Sequence, residues 1–292
     1  MRSSSTPDRP SRKHAAAVAL RPPKWPRTLY FLSWPICAAL IALAISGAIA
    51  ADGAIIAACA AAPLLLTALG ALSMSSGVFA RPLTGIDAHV AGERIAITFD
   101  DGPDPEVTPQ VLDLLDAGGH RATFFVIGER ARRYPELIAQ IAQRGHELAN
   151  HSSGHQWHLC FWRPKSIASD LESVSDAIAE AGVEAAPFFR PPNAVLSPRF
   201  EPALRALGYQ LIGFAGRGYD RAPGASAAAS FSRLRRALRP GAILLLHDRP
   251  GPVLEALSLL LDELERRQLV SVAVGELIRG GEDGEDPRRA RD

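Results

Sequence analysis

Two kinds of hydrophobic patterning divide the chain. From Leu29 to Met74 the apolar run is almost unbroken, with Asp52 as its one charged residue; beyond Arg94, short apolar runs alternate with segments of helical spacing. The first stretch is too long for a single helix across a hydrocarbon core, which takes about 20 residues. It therefore predicts two spans, Leu29 to Ala50 and Gly53 to Met74, turning at Ala51, Asp52 and Gly53. A cleaved signal peptide is the competing reading, but the run continues well past an h-region of about 7 to 15 residues.

In the second part, Arg94 to Phe99 alternates as a strand does and stops at Asp100, Asp101, Gly102 and Pro103, where a turn begins. Further strand-like runs are Ala122 to Ile127, Glu147 to Asn150, Pro187 to Arg190, Tyr209 to Phe214, Ala242 to Leu246 and Leu269 to Val274. Helix-like segments fall between them, over Val107 to Ala117, Tyr134 to Arg144, Lys165 to Ala181, Arg199 to Leu207, Ser226 to Leu238 and Val253 to Arg267. Strand and helix alternate about seven times, which predicts an α/β fold with a parallel sheet closed or nearly closed as a barrel. The expected organisation is a basic tail over 1–28, a helical hairpin over 29–75, a linker over 76–93, the barrel over 94–279 and a charged tail over 280–292.

Charge changes the picture only at the front. The formal charge of the chain is +1, yet residues 1–28 alone carry +6, so the remainder is acidic and a nucleic-acid-binding domain is not expected. The basic tail reads as disordered and, by the positive-inside rule, cytoplasmic. A hairpin returns the chain to that side, which places the barrel in the cytoplasm beneath a bacterial inner membrane. A single true span would place it outside. Cys37 and Cys59 lie in the apolar spans and Cys160 is alone in the barrel, so no disulfide framework is available there.

The candidate chemistry sits where strands end. Asp100 and Asp101 follow the first strand, and on their own they read equally as caps of a solvated turn. His151 and His155, at i and i+4 after the third strand, can face one ion; with an aspartate they supply three protein ligands and leave a position open, as catalytic zinc sites do. Arg190 follows another strand, and His247 and Asp248 a fourth.

The runs Thr98-Phe99-Asp100-Asp101-Gly102-Pro103, His151-Ser152-Ser153-Gly154-His155, Phe189-Arg190-Pro191-Pro192 and Leu244-Leu245-Leu246-His247-Asp248 resemble, in order and spacing, the polysaccharide deacetylases, the NodB-like carbohydrate esterases of family 4. The resemblance covers Arg94 to Ile278 and implies a NodB-type distorted barrel. It implies that Asp101, His151 and His155 hold a divalent metal, zinc above all, with cobalt or nickel in some members. Asp100 is then the general base, His247 the general acid and Arg190 the partner that keeps Asp100 ionised. Ser152 and Ser153 read as supporting groups.

The chain departs from the family in two places. Asn193 and Ala194 follow Pro192 where an aromatic residue and glycine are usual; the oxyanion donor implied there is a main-chain N–H, which Asn193 retains. After the fifth strand the chain reads Gly216-Arg217-Gly218-Tyr219-Asp220, so Asp220 is the candidate carboxylate to orient His247, and Arg217 stands where the family's first aspartate belongs. Trp157, Phe161 and Trp162 form an aromatic cluster that reads as a sugar-stacking surface, a bilayer anchor or barrel packing; Trp157, Phe161 and Pro192 are the candidate substrate contacts.

The resulting expectation is an N-deacetylase of an N-acetylhexosamine, the N-acetylated amino sugar belonging to a membrane-associated glycan, a glycolipid or a polyprenyl-linked sugar. The alternatives are a cell-wall or exported-polysaccharide deacetylase with an external domain, a deformylase of a lipid-linked amino sugar, and an inactive sugar-binding or scaffold protein on the same fold.

Overall fold

The computed structural model describes residues 19–20, 25–49, 52–74 and 76–283. Two long helices come first, α1 (Trp25–Ile45) and α2 (Gly53–Leu72), the second opened by the Asp52 carboxylate accepting from the Ile55 N–H. Each has a stretch of 20 residues long and apolar enough to cross a membrane. The first helix starts at Trp25 and stops at Ile45, earlier at both ends than the hydrophobic run suggested. Within the tail expected as disordered, Ala19–Leu20 form a short strand antiparallel to Gly85–Ile86, whose backbone pairing gives them order. Residues 1–18, 21–24 and 284–292 fall outside the described residues, and Gly280–Asp283, expected in a tail, complete the last helix.

The barrel is built from eight parallel strands: β1 (Arg94–Asp100), β2 (Ala122–Val126), β3 (Glu147–Asn150), β4 (Phe188–Phe189), β5 (Gln210–Leu211), β6 (Gly216–Arg217), β7 (Ile243–His247) and β8 (Val270–Ser271). Their order is β5-β4-β3-β2-β1-β7-β6, with β8 pairing the start of β1. Helices cover the outside, as parallel strands require. The sheet curls, and residues 83–86 help close the gap: the Leu83 N–H donates to the Leu211 carbonyl at 2.9 Å, and the Ile86 N–H to the Gly241 carbonyl at 2.9 Å. The segment expected as a linker is thus part of the wall, and its Val78, Leu83 and Ile86 are buried.

Strand pleating decides which residues meet. Along β1, Ile95, Ile97 and Phe99 join the outer core with Phe124, Leu244 and Leu246, while Ala96 joins a separate inner cluster with Phe125, Ala149 and Ile243. Side chains alternate, so Thr98 and Asp100 share the inner face with Ala96. Asp100 pairs in register with His247 on one side and Phe125 on the other. The same alternation puts Leu245 and His247 inside. The alternation thus aims Asp100 and His247 inward at the carboxyl end, while Thr123 and Glu147, hydrogen-bonded at 2.8 Å, occupy the same face nearer the amino end.

A third apolar cluster fastens the helical pair to the barrel. It contains Val78, Phe79, Leu159, Leu196 and Phe200, with Tyr30, Ala71, Trp162 and Ala194 packed against it. The Leu196 N–H donates to the Ala71 carbonyl at 2.8 Å, Tyr30 meets Phe79 edge-on at 5.0 Å, and Arg27 pairs with Glu201. The barrel is met where α1 begins and where α2 finishes. Towards their connecting turn the helices expose apolar side chains such as Ile45 and Leu65.

Candidate active site

The carboxyl ends of β1, β3, β4 and β7 open into one cavity lined by Asp100, Asp101, His151, His155, Asn193 and His247, with Arg217, Tyr219, Arg221 and Leu245 completing the wall. Of the seven non-glycine residues with positive φ among those described, six are at or beside this cavity: Asp101, Ser152, His155, Asn193, Ala194 and Tyr219. Such backbone is costly for side chains bearing a Cβ, and it clusters where loops aim groups at a site.

Asp101 turns out of the strand register at φ 73°. Its Oδ1 lies 3.3 Å from His151 Nε2 and 3.1 Å from His155 Nε2. Yet this buried oxygen has no hydrogen bond. The three atoms converge on a common point instead of bonding one another. Two ligands about 2.0–2.1 Å from one tetrahedral ion lie about 3.3 Å apart, so the spacing fits a divalent metal. The donor set fits as well. His151 Nδ1 is 2.8 Å from the Arg190 carbonyl, an acceptor, so Nδ1 carries the proton and Nε2 presents a lone pair to the cavity. Burial disfavours the Asp101 charge, but the two imidazoles outweigh it and hold the carboxyl well below the usual range. His151 is raised in return, burial opposing and Asp100 and Asp101 prevailing.

The loop between the histidines is held by its own polar groups. The Ser152 N–H donates to Asn150 Oδ1, the His155 N–H to Ser152 Oγ at 3.0 Å, and the Ser153 N–H to Asp170 Oδ2 at 3.1 Å. Both serines therefore support the loop.

Arg190 is almost wholly buried and binds the interior of the barrel at four points. Its Nη1 donates to Asp100 Oδ1 at 2.7 Å and Thr98 Oγ1 at 2.8 Å, Nη2 to the Gly213 carbonyl and Nε to that of Ile212. The guanidinium also lies 4.1 Å above the Phe125 ring. A charge buried this deeply needs such partners. One Asp100 oxygen is engaged, and the other lies 3.8 Å from His151 Nε2.

His247 is held by Asp220, which accepts from its backbone N–H at 2.9 Å and contacts Nδ1 at 3.0 Å. A carboxylate only accepts, so Nδ1 bears the proton and Nε2 is the free nitrogen of this ring. Asn193 lines the cavity with φ 54°, a conformation asparagine tolerates better than most residues. Trp157 and Phe161 do not line it: they form a 3₁₀ turn after His155 and are 63% and 66% exposed beside the mouth. Pro192 is buried in the turn that carries Asn193. Of the three aromatics, Trp162 alone packs inward.

Arg221 was missed in the sequence, and Asp248 was marked there only as a strand-end residue without a role. Arg221 pairs with Asp101 Oδ2, and no local pattern marks it beyond its place after Asp220. Asp248 is wholly buried behind the aspartate loop, where its Oδ2 accepts from Thr108 Oγ1 at 2.7 Å.

Comparison with known proteins gives a consistent picture. A family model described as polysaccharide deacetylase matches residues 87–212. The chain is 35% identical over 196 residues to a peptidoglycan-N-acetylglucosamine deacetylase of Bacillus cereus, covering 63% of this chain and 88% of that protein. It is also 35% identical over 201 residues to a chitooligosaccharide deacetylase of a Bradyrhizobium species, covering 61% and 88%. A family 4 acetyl xylan esterase from Clostridium thermocellum, solved with a cobalt ion, superposes with a TM-score of 0.59 at 32% identity, covering 64% of this chain and 90% of that one.

Proposed function

Because the chain belongs to the polysaccharide deacetylase family, hydrolases of carbon–nitrogen bonds other than peptide bonds, we propose that it deacetylates an N-acetylhexosamine in a membrane-associated glycan or polyprenyl-linked sugar. The observation that carries the chemistry is the convergence of Asp101, His151 and His155 beside two prepared pairs, Asp100 with Arg190 and His247 with Asp220.

Asp101, His151 and His155 would hold the metal; zinc suits this nitrogen and oxygen set, with cobalt or nickel as substitutes. When bound, the ion polarises the acetamide carbonyl and acidifies water. Asp100, with one oxygen fixed by Arg190, takes the proton of the attacking water through the other. His247 acts as an imidazolium: it gives the Nε2 proton to the departing amine and is left as the Nδ1–H tautomer, while the Asp220 carboxylate orients the ring and offsets its charge before transfer. The Asn193 main-chain N–H is the donor for the developing oxyanion.

Support for a membrane substrate comes from the third apolar cluster, which joins the helical pair to the turn bearing Asn193 and Ala194. A tethered site gains effective concentration over a substrate in the same bilayer. Prolines inside both helices fit that setting; in α2 the Thr67 hydroxyl bonds the Pro63 carbonyl at 2.7 Å.

In the test, Asp101→Ala and His151→Ala are purified beside the wild type, and metal content and acetate release from N-acetylated oligosaccharides are measured. Both variants should lose bound metal and at least about a hundredfold in kcat, the low end of what general catalysis and metal activation contribute. Normal turnover in either variant would sink the assignment.

A further inference from the structure

Three residues of the cavity wall take no part in this chemistry: Arg217, Tyr219 and Arg221. Arg217 ends β6 and stands in register with Leu245. Its guanidinium lies 4.0 Å from the Tyr219 ring centroid and 5.7 Å from that of Phe214, so the aromatic rings fix its plane. Nε is buried without a hydrogen bond, and among the described residues no carboxylate pairs with Arg217. An arginine kept for packing alone would be expected to satisfy that donor. Arg221 is half-exposed and rests on Asp101, the proposed metal ligand.

A charge count extends the point. Asp100 is matched by Arg190, Asp220 by His247, and Asp101 by any divalent ion it helps to hold. Arg217 and Arg221 are then both in excess. Two guanidinium groups at the wall of a small cavity favour an oxyanion, for which their fork of N–H donors is suited.

We infer that the substrate carries an anionic substituent, a carboxylate or phosphate ester, close to its acetamide, and that Arg217 and Arg221 bind it. The two residues determine specificity and take no part in the proton transfers. The inference rests on the deacetylase reading for the acetamide, while the anion site can be measured by itself. The oxyanion has two sources, an acidic sugar or a glycosyl phosphate.

The test compares three probes on the metal-loaded full-length protein: a neutral N-acetylated chitooligosaccharide, an N-acetylhexosamine 1-phosphate, and an N-acetylhexosamine bearing an ether-linked carboxylate. Binding is measured by calorimetry on Asp100→Asn, and kcat and KM on the active enzyme. At least one anionic probe should bind about tenfold or more tightly than the neutral one, as a charged hydrogen bond implies, and less so as salt is raised. Which one does so identifies the source. In Arg217→Gln and Arg221→Gln the anionic-to-neutral ratio of kcat/KM should fall about tenfold, chiefly through KM, and Arg217→Lys should restore part of it. Equal binding of all three probes overturns the inference, as does a variant that lowers kcat for neutral and anionic substrates alike. Tight anionic binding without acetate release from any probe would count against the deacetylase reading and leave the anion site standing.

Discussion

Asp248 illustrates how much a single side chain behind the site can be asked to tolerate. Burial pushes its carboxyl well above the usual range, the Thr108 hydrogen bond pulls against this, and Asp101 and Asp104 add to the rise. Gly102 makes room for it: a Cβ there would meet Asp248 Oδ2 at 2.1 Å. A folded pKa above the unfolded one contributes stability below the unfolded value, near 4, and loses it as pH rises towards the folded pKa. Asp248→Asn mimics the protonated acid, so at pH 5 its stability should be within about 1 kcal/mol of the wild type. The balance should then move in favour of the variant towards pH 8. Chemical denaturation in detergent at the two pH values checks this, and a wild type that gains on the variant would mean an ionised, paired Asp248. The sequence made the neighbouring roles far easier to see. Asp100, Asp101, His151, His155, Arg190 and His247 each follow an apolar strand, and the histidine spacing works within one loop. Asp220 was legible as a carboxylate but not in its register, because two departures precede it; its two contacts with His247 come from the fold. Arg221 reaches Asp101 across 120 positions, a distance no local pattern encodes.

At the level of elements, close approach explains what the hydrophobic pattern alone does not. Helix α2 comes so near the barrel that a Cβ on Gly70 would lie 2.8 Å from Val78 Cγ1 and 3.2 Å from Phe79 Cδ1. Gly70→Leu should therefore destabilise the joint by about 1–3 kcal/mol, as overpacking does, whereas Leu65→Ala on the exposed side should change little. Thermal unfolding in detergent measures both, and equal effects would mean that the helices float free of the barrel. Periodicity located the long helices of the barrel to within a residue or two, as at Phe200–Leu207 and Val253–Arg266. It overestimated strands such as Tyr209 to Phe214, of which only Gln210–Leu211 is ladder: Ile212 and Gly213 turn to residues 83–86, and Tyr209 and Phe214 are apolar because they pack on the cluster of Phe200 and Leu196. It missed Gly216–Arg217, a strand without apolar residues, and the helix Gly128–Arg133, whose surface is charged. Neither offers the alternation on which a reading of pattern depends.

For the whole molecule, the helical pair and the barrel form one body, since Tyr30 and Ala71 pack into the cluster that includes Phe200 and Leu196. Each apolar stretch is 20 residues, about 30 Å of helix, which matches a hydrocarbon core. The proposed hairpin puts both chain ends on one side. Paired reporters fused after Asp292, one active only in the cytoplasm and one only outside, should give the cytoplasmic signal. An external signal would reassign the substrate to wall or exported polysaccharide.

The bond from Leu196 to the Ala71 carbonyl has a further consequence on this membrane reading. It ties the loop behind the catalytic mouth to the last turn of a spanning helix, so the pocket works at a fixed height above the lipid. An enzyme mounted in that way is a ruler. It would leave its mark on sugars near the lipid anchor and spare those further along, whatever the length of the glycan.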